Sequence, residues 1–183
     1  MRALEPLRVQ FRETIRADGS VYEERLAFCS TASRWVSLLR CNACEACAHL
    51  SGDQNPVLVC AVAPHRPSNL APSVREWMAQ HVWCIEGRAP ARLISLMPDG
   101  QRDAIVVDGD GHAIGLLSRE QAVSVDEALP AQEAMDPAIV ALFDNAPLES
   151  AHDLLSAKGV RTLPILSAGR VIGCVDTRQR TRG

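Results

Sequence analysis

The stretch Asp103-Ala-Ile-Val-Val-Asp-Gly-Asp-Gly-His-Ala-Ile-Gly-Leu-Leu117 has a second copy, Arg161-Thr-Leu-Pro-Ile-Leu-Ser-Ala-Gly-Arg-Val-Ile-Gly-Cys-Val175. Laid 58 residues apart without a gap, Ile105 falls on Leu163, Val107 on Ile165, Gly111 on Gly169, Ile114 on Ile172 and Gly115 on Gly173. Self-similarity at a fixed period of this size means one supersecondary unit built twice. The repeat organises nearly two thirds of the chain.

Working outward, each copy reads strand, helix, strand, strand, helix start. In the first, Val82 to Ile85 is a short buried strand and Pro90 to Met97 a helix with Pro at its start. Ala104–Val107 and Ala113–Leu117 form a hairpin around Asp108-Gly-Asp-Gly111, because Gly and Asp tolerate the positive φ of tight turns. Ser118 is then an N-cap whose hydroxyl accepts from a first-turn amide. In the second copy Ile139 to Phe143 is the short strand. Pro147 to Lys158 is a helix, with Leu148, Ala151, Leu154 and Leu155 at helical spacing and Gly159 as its stop. Thr162–Leu166 and Val171–Val175 form the second hairpin, and Asp176 stands where Ser118 stood. A copy of about 60 residues buries too little to be stable alone. Two copies packed sheet to sheet share a core, and the same logic leads us to expect a homodimer.

The composition is that of an ordinary globular chain, 47% hydrophobic and 22% charged, with a net charge of −3. That balance excludes a protein held to nucleic acid by overall charge. The first 40 residues carry seven Arg against five acidic residues, a weak basic bias that keeps a nucleic-acid contact open. All but one of the basic residues are Arg, the exception being Lys158, as in a GC-rich bacterial genome. No apolar run reaches the roughly 18 residues of a membrane span, and the N-terminus lacks the apolar core of a signal peptide, so a cytoplasmic location is expected.

Seven cysteines is a high count, and five of them fall between Cys29 and Cys60. In a reducing compartment such clustering points to metal or redox chemistry. Cys41-Asn-Ala-Cys44 brings two thiolates to one metal across a turn, while Cys29 and Cys60 each end an apolar strand-like run. The ligand set is therefore Cys29, Cys41, Cys44 and Cys60, a closed four-cysteine zinc site, with Cys47 as the alternate and His49 a lesser one. Cys41-x-x-Cys44-x-x-Cys47 also resembles the run that holds a [4Fe–4S] cluster, though no Cys-Pro companion follows. Unmetallated thiols are the third possibility. A closed site leaves no open coordination position and serves the fold. The chain reads as α+β: a Cys-rich metal-binding domain at 1–66, closed by the Pro-rich joint at 64–67, then the two copies at 73–124 and 125–183.

The segments AIVVDGDGHAIGLLSRE and GVRTLPILSAGRVIGCVD resemble the hallmark strands of CBS domains, and the tandem resembles a CBS pair, or Bateman module. The resemblance covers roughly residues 73 to 183. It implies a regulatory, non-enzymatic protein whose inter-copy clefts bind an adenine nucleotide or S-adenosylmethionine, and which dimerises. Small Cys-rich, zinc-ribbon-like domains also precede such pairs. The family's ligand motif is Gly, two apolar residues, Ser or Thr, two variable residues, then Asp, with the hydroxyl toward phosphate at a helix start and the Asp toward ribose. Here the first copy has Ser118 but Gln121 in the Asp position, and the second has Asp176 and Gln179. A neutral Gln still hydrogen-bonds a ribose, whereas Asp176 repels a polyanion. Copy one is thus the better site, and Ser118 and Asp176 serve equally well as plain helix caps.

The expected function is a ligand sensor whose ligand shifts the packing or dimer geometry of the pair and so changes what the metal domain touches; an unknown protein partner is expected as well. The alternatives are a dimerisation or protein-interaction module with degenerate sites, a nucleic-acid-binding regulator, and an iron–sulfur redox regulator. Cys84 and Cys174 are expected to be small buried hydrophobes, and Trp35, Trp77 and Trp83 packing anchors. The scattered His65, His81, His112 and His152 build no triad, and no GxGxxG, P-loop or HExxH motif is present.

Overall fold

The structure, a computed structural model, describes residues 6–51, 57–60, 72–157 and 160–177. Its elements are β1 (Pro6–Leu7), β2 (Val9–Ile15), β3 (Val21–Cys29), β4 (Arg34–Ser37), α1 (Leu38–Asn42), β5 (Cys47–Ser51), β6 (Val57–Cys60), α2 (Val74–Trp77) and β7 (His81–Glu86). A 3-10 helix at Ala91–Leu96 leads to β8 (Asp103–Val107), β9 (Ala113–Ser118), α3 (Arg119–Ser124), α4 (Ala131–Ala134) and β10 (Leu142–Phe143). Then come α5 (Leu148–Ala157), β11 (Thr162–Ser167) and β12 (Arg170–Asp176).

Each copy contains the same three strands. The first pairs parallel with the second, which pairs antiparallel with the third: β7-β8-β9 in copy one and β10-β11-β12 in copy two. Two elements differ from expectation. The helix expected over Pro90–Met97 is a six-residue 3-10 helix, bracketed by Pro90 and by Pro98, which disfavours helical backbone at Met97. The strand expected over Ile139–Phe143 keeps only Leu142 and Phe143, because Pro137 bends the chain and its carbonyl accepts from Ile139 N at 2.8 Å. Val82, Cys84, Ile105 and Val107 of copy one bury against Val171 and Cys174 of copy two, so the copies share a core.

α2 and α4 occupy equivalent places, one turn ahead of the first strand of each copy, and each is donated to the other copy. Val74 and Met78 pack with Ala151, Leu155, Leu163 and Ile172 of copy two. Ala131 lies in the core with Ile85, Ile94 and Leu117 of copy one, and Met135 packs against it. The backbone repeats the exchange: Val74 N donates to Ala146 O (2.9 Å) and Leu148 N to Pro72 O (3.0 Å), just as Ala131 N donates to Ala89 O and Ala91 N to Leu129 O (both 2.8 Å).

The largest departure concerns the N-terminal segment. β2 pairs with β3 on one side and parallel to β7 on the other, giving one six-stranded sheet, β4-β3-β2-β7-β8-β9. The sheet thus crosses the boundary expected at residue 66, a position that lies outside the described residues. Pairing leaves neither edge of β2 open, and both its faces are covered. Val9 and Phe11 join Ala27, Leu38 and Leu58 in one cluster, and Ile15 joins the copy-one core. On the other face the Gln10 amide donates to Ala79 O, while the Arg12 guanidinium donates to Val171 O (3.0 Å) and pairs with Glu24. A separate three-stranded sheet, β1-β6-β5, carries Cys47 and Cys60.

At the β2–β7 seam, Glu13 is 7% exposed and meets His81 Nδ1 at 2.6 Å, with its second oxygen unpartnered. Burial pushes its carboxyl above the ordinary glutamate range, only partly offset by His81. The folded state therefore holds that proton more tightly than the unfolded chain. The Glu13 charge costs nothing at a pH below the unfolded value, and the cost grows as pH rises through the folded one. Glu13→Gln is expected to raise Tm at pH 7 by about 2–4 °C, with the gain vanishing near pH 4. Melting curves at both pH values check this, and a lower Tm at pH 7 would refute it.

Candidate functional site: the inter-copy cleft and the cysteine cluster

The starts of β8 and β11 meet where the copies face one another, and Asp103 and Arg161, the first aligned pair of the repeat, form an ion pair there. Arg161 Nη2 lies 3.5 Å from Asp103 Oδ1 and 3.3 Å from Glu120 Oε2 of α3. Thr162 Oγ1 donates to Asp103 Oδ2 at 3.0 Å. The hydrogen bond to Glu120, followed by the Asp103 charge, holds the Arg161 guanidinium above its ordinary value. Arg102, Asp103, Arg161, Thr162, Asp176 and Thr177 line a cavity of about 170 Å³. Drug-sized ligands occupy pockets of roughly 300–1,000 Å³. A nucleotide would therefore enter only in part, or would move Arg161 away from its carboxylates.

Ser118 and Gln121 are committed to local structure. Ser118 Oγ accepts from Gln121 N at 3.1 Å and Gln121 Oε1 accepts from Ser118 N at 2.8 Å, a reciprocal capping box at the start of α3. The neighbouring Arg119 donates to the carbonyls of Gln101, Met97 and Pro98. Asp176 ends β12 and lines the cavity. Gln179, and the helix that Asp176 was expected to cap, lie outside the described residues. Asp103, Arg161 and Thr162 were not singled out from sequence. The two stand at equivalent positions of the repeat with opposite charges, but nothing along the chain says which equivalent pair lies near the axis where the copies meet.

The five clustered cysteines come from four elements and a turn. Cys29 ends β3, Cys41 lies in α1, Cys44 in the following turn, Cys47 opens β5 and Cys60 closes β6. The turn is backbone-bonded, Cys44 N to Cys41 O (3.1 Å) and Cys47 N to Cys44 O (3.0 Å). Cys41 and Cys47 pack on the cluster of Val9, Phe11 and Leu58. Burial pushes the Cys41 thiol up, and Cys29, Cys47, Cys44 and Cys60 all add to the shift. A metal cation reverses that balance and favours thiolates. Among the described residues, the one group of three ligand-type atoms mutually within 4.8 Å is Asp108, Asp110 and His112 in the copy-one turn, so the sulfurs sit wider than a closed site holds them. Nothing is described of the His49 side chain. In that turn, Asp108 Oδ1 accepts from Asp110 N and His112 N (both 2.9 Å); the His112 amide is the chief cause of its lowered carboxyl.

Cys84 and Cys174 are buried, and burial pushes the Cys84 thiol up to about 12. Trp35 Nε1 donates to Asp144 Oδ2 at 3.0 Å, and Arg75 pairs with the same oxygen at 2.9 Å while lying over the Phe28 ring. This knot ties the end of β3, next to Cys29, to copy two. Trp83 packs on the copy-one core, but Trp77 is 42% exposed and anchors less than expected.

Two copies that share a β-α-β-β core among the described residues, with exchanged lead helices and a polar cleft between them, define a paired-repeat module. Residues 131–179 match the family model of the CBS domain. The fold is similar to the CBS domains of a transcriptional regulator from Streptococcus pneumoniae, at 9% identity and TM-score 0.54, over 61% of this chain and 98% of that one. It is similar to the CBS pair of protein MJ0100 in complex with 5′-methylthioadenosine and S-adenosyl-L-methionine, at 14% identity and TM-score 0.54, over 62% and 95% of the chains. It is likewise similar to CBSX2 in complex with AMP, at 21% identity and TM-score 0.54, over 60% and 93%. No curated protein matched the chain. The two copies thus have the fold of a CBS domain pair. Among the described residues no helix is long and apolar enough to cross a membrane.

Proposed function

We propose that this protein is a regulatory sensor whose CBS pair takes an adenosine-containing ligand in the cleft between its copies, coupled to an N-terminal cysteine cluster that holds zinc. The observation that carries this is the cleft itself, where Arg161 is poised between Asp103 and Glu120 beside Thr162. An incoming phosphate or carboxylate competes for the guanidinium, and Asp103 and Thr162 offer partners to ribose hydroxyls. Ligand entry would separate Arg161 from α3 of copy one, loosening a contact between the copies. The knot of Trp35, Asp144 and Arg75 provides a path from copy two to the strand that ends at Cys29. Cys41 and the four thiols gathered with it in the segment suit a thiophilic ion such as zinc, which would draw the sulfurs closer, with Cys29, Cys41, Cys44 and Cys60 or Cys47 as ligands and a structural role.

Calorimetric titration with AMP, ATP and S-adenosylmethionine tests the sensor. One of them is expected to bind, and Arg161→Ala to weaken a phosphate-bearing ligand about tenfold or more. Absence of heat from all three would overturn it. The capping box at Ser118 and Gln121 favours a second reading, an interaction module whose nucleotide positions have become structural; that outcome would support it.

A further inference from the structure

Cys47 and Cys60 are Cα partners in the antiparallel register of β5 and β6, at the end of the ladder and beside a bulge between Cys47 and His49. Residues opposed in this way hold their Cα atoms about 4.5–5.5 Å apart, within the roughly 4.4–6.8 Å that a disulfide bridges. Both are free thiols and both are half-buried, at the end of the β5–β6 ladder, Cys47 on the edge strand and Cys60 on the central one. The other three cysteines hold no such station: Cys29 faces Arg34 across β3–β4, and Cys41 and Cys44 belong to α1 and its turn. A closed tetrahedral site uses four ligands, and the segment from Cys29 to Cys60 carries five thiols.

We propose that Cys47 and Cys60 form a reversible disulfide that switches the cysteine cluster between a metal-holding and a metal-releasing state. The metal arm rests on the zinc reading above; the disulfide does not. The oxidant class is a peroxide. One thiolate attacks a peroxide oxygen, the O–O bond breaks, and the sulfur becomes a sulfenic acid while hydroxide leaves and takes a proton to give water. The second sulfur attacks the first, the S–S bond forms, the S–O bond breaks, and the departing hydroxide carries off the second thiol's proton as water. Two thiols and one hydrogen peroxide give one disulfide and two waters, with two electrons passing from sulfur to oxygen. Whichever of the pair ligates, the bridge leaves only Cys29, Cys41 and Cys44, one thiol short of a closed site.

The test uses the full chain purified without oxygen, its metal content measured first, then exposed to a small excess of hydrogen peroxide. Free thiols are alkylated and cross-linked peptides mapped by mass spectrometry, while a chromophoric chelator reads released zinc. The expected result is a dominant Cys47–Cys60 cross-link with release of about one zinc per chain, both reversed by dithiothreitol. A different dominant pair, or sulfinic acids formed without any disulfide, overturns the proposal. A Cys47–Cys60 bridge in a chain that carries no metal as purified overturns the zinc reading and the switch, while upholding the redox pair. A bridge that forms with zinc retained overturns the switch alone.

Discussion

Gly115→Ala is expected to destabilise the protein by about 3 kcal/mol, near the top of the range for overpacking. Gly115 is a glycine of close approach. An added Cβ there would strike Met135 Sδ well inside contact distance and would lie 2.8 Å from the Asp136 carbonyl oxygen. That carbonyl cannot recede, because it accepts from Leu116 N at 3.0 Å while Asp136 N donates to Leu116 O at 2.8 Å. The repeat supplies an internal control. Gly173, its equivalent, would place a Cβ 2.5 Å from Met78 Sδ and 3.1 Å from Gln10 Nε2, which are side-chain atoms, with no backbone atom among its nearest neighbours. Gly173→Ala should therefore cost roughly half as much, and Met78→Ala should recover part of that cost. Met135→Ala should recover little of Gly115→Ala, since the backbone clash remains. Urea unfolding of the four single and two double variants gives the comparison. Equal costs for the two glycines, or none, would contradict the exchanged-helix account.

Arg12→Ala is the second large effect, expected at about 3 kcal/mol. The Arg12 side chain is 7% exposed and joins three elements: its own strand β2, Glu24 of β3, and the Val171 carbonyl of copy two. Its removal strips a buried carbonyl of its donor and leaves Glu24, 15% exposed, to Arg170 alone at 3.8 Å. The cost is that of the charge and acceptor left behind rather than the net value of the pair. Arg12→Met keeps the apolar stem, so Arg12→Met combined with Glu24→Gln should recover at least half of the loss. Denaturation midpoints check this. A double variant as unstable as Arg12→Ala would show that packing, and not the buried charge, decides the site.

What could be read from sequence is local in its physics. The hairpins β8–β9 and β11–β12, α5 and the Ser118 cap follow from period-two apolar runs, helical spacing and turn chemistry within a few residues. β2 shows the limit. Its even positions, Gln10, Arg12 and Thr14, look like a solvent face, yet β12 and the Ala79 segment cover them and supply partners to Gln10 and Arg12. A polar strand face buried against another sheet gives the same alternation as one facing water. The cleft was half legible: the repeat located it, but the expected Ser118 and Gln121 turned to their own helix, while Arg161 and Asp103 took the cleft floor.

By itself the sequence determined that one unit is built twice, where its turns fall, and that five thiols are gathered in one short segment, because these depend on neighbours along the chain. Only the tertiary structure decided that each copy receives its lead helix from the other, that the first strands extend the copy-one sheet, and that Cys47 faces Cys60. Those choices are made by which strand edge finds a partner and which glycine lies bare enough for a methionine to cover. No periodicity along the chain records either one.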